Sequence, residues 1–491
     1  MDIKKNIRRS VFFQILNLVV LGITGIVFIP FLISSMGKDQ YGLFEIIFSF
    51  NLINVLLDIG IGTTITNFSL KYFNSGIGKF SKFYWSYFWL KVFLSLVGFL
   101  FCLSIPFFSN KLFVNLQPNE ILILNTGFVI FAFGVLIQNI NAFFDNIQQG
   151  FVRFELPAYS NVASKLIYIL LFFLWINSGV YENILGYCML TFIIYPLLRL
   201  VIQIFQTNSI LPLRDLKFCW MDLDLLKSDF SFLKGISLIT ILGQSYNFGP
   251  QIILSVIGTP ALIADFSIAK KVIDFIRKIS DMFIRPFLPA TSELLKIMSL
   301  ENLVFKGVKI HSFLILLLTF CVIINNKLIG AILVDEENLK FSFYLTLYTL
   351  ILVIPSFAVP LMVYYNQGRY KMSILFNLAN TIFSLLFSFV SFNFFGLTGF
   401  IIVLVLVYGL LSLFQVYSYS KFFKLSFKKY ILIYFKNYLV FSFLWALYYL
   451  QSSLLELSDI GSIITNIIFC ISYLVISLLI NSDIIKIILR K

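Results

Sequence analysis

The stretch Asp265–Pro289, DFSIAKKVIDFIRKISDMFIRPFLP, decides how the rest of the chain is read. The other long hydrophobic segments are hydrophobic all round, and this one is not. At about 100° per residue, Lys270, Lys271, Asp274, Arg277, Lys278, Asp281 and Arg285 fall within one arc of roughly 120°. Ile268, Val272, Phe275, Ile276, Ile279, Met282 and Phe283 cover the remaining face. Five positive charges against two negative make the stripe net basic. As a helix the stretch would extend ~37 Å, enough to cross a bilayer.

A basic amphipathic helix can also lie flat on a membrane surface. The flanks argue for a crossing. Lys227 and Lys234 precede the hydrophobic segment before this one, and Lys296, Lys306 and Lys309 precede the segment after it. Both flanks read as cytoplasmic by the positive-inside rule. One hydrophobic segment, 235–257, separates the first flank from the charged stretch, so the stretch itself must cross back. A charged face does not look at lipid. It faces a polar, water-filled interior.

Composition agrees with a membrane body. Of the 491 residues 59% are hydrophobic and 12% charged, and the mean hydropathy is +0.95, which describes a polytopic membrane protein. The net charge of +14 does not imply nucleic acid, because the basic residues lie between hydrophobic segments, where topology places them. Cys102, Cys188, Cys219, Cys321 and Cys470 show no paired spacing and read as small apolar residues rather than disulfides or metal ligands. The first hydrophobic run, Val11–Ile33, is too long for a cleavable signal.

Hydrophobic segments fall at about 11–33, 41–66, 83–108, 120–142, 157–178, 184–206, 235–257, 265–289, 310–333, 341–364, 373–394, 397–418, 431–451 and 460–481. The basic clusters occupy alternate loops, which predicts cytoplasmic termini. An internal repeat is visible. Gln149-Gly150 and Arg153 precede Asn161 and Ala163; some 216–218 residues later, Gln367-Gly368 and Arg369 precede Asn377 and Ala379. At a similar offset Ile33–Gly37 and Leu254–Gly258 end the first and seventh segments. Six segments separate the copies, an even number, so they share one orientation and predict lobes related by an axis along the membrane normal. The expected fold is an all-α polytopic membrane protein of about 14 helices, with two six-helix lobes in a parallel pseudo-twofold repeat and two extra C-terminal helices. Residues 1–206 form the first lobe, 207–234 a cytoplasmic linker, 235–418 the second lobe, and 419–491 the last two helices and a tail.

Polar residues recur inside the bundle. Glu45, Asn51, Asn54 and Asp58 share roughly one face of segment 2. Segment 1 offers Gln14, Asn17 and Thr24. Segment 7 offers Gln244, Tyr246, Asn247 and Gln251 around Gly249-Pro250, an expected helix break. Taken singly, such amides serve interhelical hydrogen bonding, and Asp58 reads first as a packing or loop-orienting carboxylate. Lys91, Lys165, Arg199 and Lys436 lie near segment ends, where snorkelling accounts for them. His311 opens segment 9 at the interface, with a proton relay as its less favoured reading. The linker acids Asp215, Asp222, Asp224 and Asp229 alternate with Arg214, Lys217 and Lys227 like a solvated connection. No phosphate-cradling glycine loop, nucleophile elbow or metal-ligand spacing is present in the sequence, and no cofactor is implied.

The six-plus-six-plus-two arrangement, Met36-Gly37-Lys-Asp-Gln-Tyr41-Gly42-Leu43 with Asp58-Ile-Gly60 following, and the charged segment 8 ending Pro286-Phe-Leu-Pro289 resemble polysaccharide repeat-unit flippases of the multidrug/oligosaccharidyl-lipid/polysaccharide exporter superfamily. The resemblance covers essentially the whole chain. It implies two six-helix lobes that open alternately to each side of a bacterial inner membrane. The implied cargo is a polyprenyl-diphosphate-linked oligosaccharide for O-antigen or capsule synthesis, in a setting of membrane lipid, with proton or sodium as coupling ion. A polysaccharide polymerase and a chain-length regulator are its implied protein partners. In related lipid II flippases, basic residues on helices 1, 2 and 8 meet the diphosphate. Here helix 8 matches through Lys270, Arg277, Lys278 and Arg285, whereas segments 1 and 2 hold no Lys or Arg inside the membrane, which weighs against lipid II.

On this reading Lys270, Arg277 and Lys278 are diphosphate ligands, Arg285 stands at the cytoplasmic mouth, and Asp274 and Asp281 orient the cations. Gln244, Tyr246, Asn247, Asn51 and Asp58 line the path of the sugars. The protein is expected to be a transporter and not an enzyme. Two alternatives remain: a drug or cation exporter of the same fold, which would want an acidic cavity, and a membrane-embedded polymerase or transferase.

Overall fold

The computed structural model describes residue 13 and residues 15–58, 60–179, 184–211, 213–284, 299–334, 339–354, 371–454 and 459–480. Among these, regular structure is helical throughout. We number the membrane helices α1 (Ile15–Met36), α2 (Lys38–Asp58), α3 (Ile77–Leu112), α4 (Pro118–Gly150), α5 (Glu155–Asn177) and α6 (Leu185–Ile210). They continue with α7 (Leu223–Ile257), α8 (Pro260–Ile284), α9 (Leu300–Ile324) and α10 (Leu339–Val353). Then α11 and α12 together span Lys371–Phe422, followed by α13 (Phe427–Leu454) and α14 (Asp459–Ile480). Each of the fourteen hydrophobic segments carries a helix. The fold is the expected all-α polytopic one, and the protein is a multi-pass membrane protein.

Glycine and proline punctuate this order at a few decisive points. Gly396 takes φ 59 and ψ −150, which turns α11 into α12 within an otherwise continuous helical run. Gly60, at φ 68, separates α2 from a second helical segment, Ile61–Asn74. Gly42 is needed for another reason: a Cβ there would fall 2.0 Å from the Pro260 carbonyl oxygen, so only glycine lets α2 approach the α7–α8 turn. Gly249-Pro250 does not break α7, contrary to expectation. The helix runs through it, because losing the one amide that would bond the Tyr246 carbonyl leaves the rest of the ladder intact.

The chain divides into two compact units, Met1–Ser267 and Ile268–Lys491. The first therefore holds α7 and the opening turns of α8. In it a core of Phe80, Phe83, Tyr84, Tyr87, Phe143, Phe144 and Ile147 packs α3 against α4. Leu211 and Leu216 of the linker join this core, and Trp220 stacks on Trp89 at 5.4 Å. The linker is thus anchored on α3 by these residues, while Asp215, Lys217, Asp224 and Lys227 stay exposed as expected. Asp229 is not a linker acid: α7 begins at Leu223, twelve residues before the expected start, and Tyr87 Oη donates to Asp229 Oδ2 at 2.8 Å. Asp222 caps α7, its Oδ1 accepting from the amides of Asp224 and Leu225.

In the second unit α9 packs between α10, α13 and α14. Val304, Phe305, Val308, Phe376, Tyr419, Tyr430 and Tyr434 form its core. His311 is not at an interface. It lies buried in this core with Nδ1 3.4 Å from Tyr434 Oη, because α9 begins about ten residues earlier than the hydropathy suggests. The Cys321 and Cys470 thiols lie within hydrogen-bonding reach of each other on α9 and α14, and all five cysteines are free.

Candidate functional site

The two faces of α8 are sorted as its sequence dictates. Ile263, Ala264, Phe266, Ile268, Ala269 and Ile273 have no exposed surface, and Ile276 is nearly as buried. Lys270, Lys271, Asp274 and Arg277 keep partial exposure, and Lys278 is exposed. The apolar stripe is spent on packing, and the charged stripe is left accessible. Pro260 at the first helical position starts the helix without losing an intrahelical bond.

Within the stripe, Lys270 Nζ contacts Asp274 Oδ2 at 2.8 Å, the i,i+4 pair that the spacing predicts. Arg277 and Lys278 also lie close enough to act on the Asp274 carboxylate. The Arg277 guanidinium stands over the ring of Tyr408 on α12, 5.7 Å from its centroid. Tyr348 on α10, buried, senses both Arg277 and Asp274. From Ile268 to Ser280 four cations share one helix face with one carboxylate. Such a face offers charge-assisted hydrogen bonds to a polyanion, and the ring behind Arg277 fixes the plane of its fork. Arg285 and the side chain of Asp281 lie outside the described residues.

The remaining predicted site residues sit in the first unit. Gln244, Tyr246 and Asn247 are half-buried on α7. Asn51 accepts from Asn54 Nδ2 at 2.6 Å; Asn54 in turn bonds Gln138 (2.9 Å) and Asn139 (2.9 Å) of α4. This amide chain ties α2 to α4, as interhelical polar residues do. Asp58 is ion-paired with Lys91 of α3 and accepts from the Gly62 amide at 3.3 Å.

That pair corrects the snorkelling reading of three cations. Lys91 has no exposed surface and lies about four turns into α3, because the helix starts at Ile77. Arg199 on α6 bonds Asp145 of α4 at 2.6 Å, and Gln203 donates to the same carboxylate. Lys165 on α5 donates to Thr24 Oγ1 at 3.2 Å and lies over the rings of Tyr168 and Tyr195. All three point into the unit. The signal for one of them was in the sequence: Asp58, read inside segment 2, is an interior acid that requires a cation. Glu45, also buried, accepts from Gln251 Nε2 at 3.0 Å, and Gln251 bonds Ser267 at 2.9 Å, joining α2, α7 and the start of α8. Lys38 and Asp265 add an ion pair at 2.7 Å beside it. Among the described residues no group of three or more His, Cys, Asp or Glu is placed to hold a metal ion.

No family profile matches the chain, and no curated protein matches it. Solved structures do. The chain is similar to the lipid II flippase MurJ in its inward closed conformation, with a TM-score of 0.72 and 15% identity over 98% of this chain and 99% of that one. It is also similar to an inward-facing multidrug resistance MATE family transporter of the MOP superfamily, with a TM-score of 0.65 and 13% identity over 85% and 96%. A third likeness is to a MOP superfamily transporter from Pyrococcus furiosus Vc1 whose binding pocket is described as reversed in polarity, with a TM-score of 0.56 and 12% identity over 86% and 96%. At these identities the likeness establishes the fold that this chain shares with them.

Proposed function

We propose that the protein is a flippase that moves polyprenyl-diphosphate-linked oligosaccharide repeat units across the bacterial inner membrane by alternating access, with cytoplasmic termini, for O-antigen or capsule synthesis. The observation that carries this reading is the accessible, net-basic face of α8, with Lys270 held by Asp274 and Arg277 set over Tyr408. A diphosphate cannot enter hydrocarbon unaided, and a cationic wet surface removes that penalty. The fold shared with a lipid II flippase and with exporters supports transport over synthesis. A cation exporter would want the opposite sign on this face. Lipid II itself fits less well, because α1 carries no Lys or Arg and α2 only Lys38 at its outer end. Arg277, Lys270 and Lys278 bind the diphosphate, with Arg285 at the mouth and Asp274 and Asp281 orienting them; Gln244, Tyr246, Asn247, Asn51 and Asp58 face the sugars. Proton or sodium is the coupling ion, and a polymerase and chain-length regulator receive the product.

Arg277→Gln, reconstituted in liposomes with fluorescent lipid-linked oligosaccharide, should lose transfer at least tenfold at normal expression and melting temperature. Unimpaired transfer by this variant and by Lys270→Gln would remove α8 from the reaction.

A further inference from the structure

The first unit contains a second cationic centre, whose described contacts are a hydroxyl and two aromatic rings. Lys165 lies about three turns into α5. Its ammonium donates to Thr24 Oγ1 of α1 at 3.2 Å and lies 5.2 Å from the Tyr168 ring centroid and 4.7 Å from that of Tyr195. Tyr195 Oη donates to Asn161 Oδ1, and Asn161 Nδ2 donates to Asn17 Oδ1, so α6, α5 and α1 are joined by one oriented chain. Leu166, Ile167, Leu170 and Leu174 are exposed on the opposite face of α5 and mark its lipid side. Lys165, Asn161, Tyr195 and Asn17 keep partial exposure on the inner side.

This set combines a cation, the partly exposed ring of Tyr195 and two amides, with buried Tyr168 behind the ammonium. Those are the groups that recognise an anionic saccharide: oxyanion to ammonium, C–H face to ring, hydroxyls to amides. Arg199, one turn beyond Tyr195, is committed to Asp145, which Gln203 also engages. The cation–π contacts hold the lysine head in place before a ligand arrives, which lowers the entropic cost of binding.

We propose that Lys165, with Tyr168, Tyr195, Asn161 and Asn17, forms an oxyanion subsite of the first unit that takes a negatively charged group of the cargo. The proposal rests on the flippase reading above. A sugar carboxylate and the lipid diphosphate share the required chemistry, and the test separates them.

Full-length protein in lipid nanodiscs would be titrated with three probes: polyprenyl diphosphate alone, the same lipid carrying a neutral oligosaccharide, and the same lipid and oligosaccharide with one uronic acid. Lys165→Gln should weaken an affected probe about tenfold, and Lys165→Arg should restore most of it. Weakening confined to the uronic acid probe assigns the site to a sugar carboxylate, and equal weakening of all three assigns it to the diphosphate. Unchanged affinity for all three in folded Lys165→Gln overturns the subsite. Should that variant not fold, amine acylation of Lys165 in the native protein, read by mass spectrometry, decides: protection by a probe supports the site, and unchanged acylation overturns it. Loss of transfer in Arg277→Gln beside normal binding in Lys165→Gln would leave the flippase reading standing and remove only this subsite. A native protein that binds none of the probes overturns both.

Discussion

Two groups of membrane-embedded cations, alike in residue type, are arranged in opposite ways. In the first unit Lys91 faces Asp58 and Arg199 faces Asp145, one base to one acid, in packed surroundings. On α8, from Ile268 to Ser280, Lys270, Lys271, Arg277 and Lys278 share a face with Asp274, and the face stays accessible. A matched buried pair neutralises itself and joins helices; its removal is felt as instability. The stripe on α8 differs in composition and exposure: from Ile268 to Ser280 it carries four bases beside Asp274, and Lys278 is exposed. On the flippase reading proposed above, that excess of cations is what would meet a diphosphate.

The largest stability effect should come from the matched pair whose cation has no exposed surface. Lys91→Met leaves Asp58, 29% exposed, as a charge without its cation and should cost about 3 kcal/mol, the low end for a buried pair, read as a lowered melting temperature in detergent. Adding Asp58→Leu should recover most of the loss, since replacing both partners by apolar side chains is close to neutral. A Lys91→Met protein as stable as its parent would dissolve the distinction drawn above. The second pair should respond less. Gln203 still donates to Asp145 when Arg199 is gone. Arg199→Gln should therefore cost about 1–3 kcal/mol in the same melt.

Much of this contrast could be read from the sequence, and the part that could not has a physical cause. The α8 stripe was legible because its charges repeat at helical spacing within one element. So were the fourteen segments, since hydrocarbon thickness fixes their length. Lys91 and Arg199 were misplaced because hydropathy marks the apolar part of a helix, not its ends. α3 starts at Ile77 and α6 runs on to Ile210, each running past the apolar core, so residues that look terminal lie several turns inside. Asp58 and Lys91 pair between helices, as do Arg277 and Tyr408 across much longer sequence, and no periodicity along one helix announces such partners. The docking of the linker through Leu211, Leu216 and Trp220 was hidden for a related reason: its charges suggested solvent, while these apolar residues decide where it packs.

The smallest stability effect belongs to α8 itself, and there the comparison is most exposed to refutation. Lys270 and Asp274 pair at 2.8 Å, with side-chain exposures of 13% and 32%. Water reaches the acid, and Arg277 and Lys278 remain near it when Lys270 is gone. Lys270→Gln should thus shift stability by about 1 kcal/mol or less, while transfer of lipid-linked oligosaccharide falls severalfold. Asp274→Asn should behave differently: it removes the carboxylate that Lys270 bonds and that Arg277 and Lys278 act on, so it should loosen the arrangement of Lys270 and Arg277 and lower transfer without strengthening the fold. A Lys270→Gln protein that melts as early as Lys91→Met but still transfers normally would make the stripe another internal fastening, and the two regions would then differ in position alone.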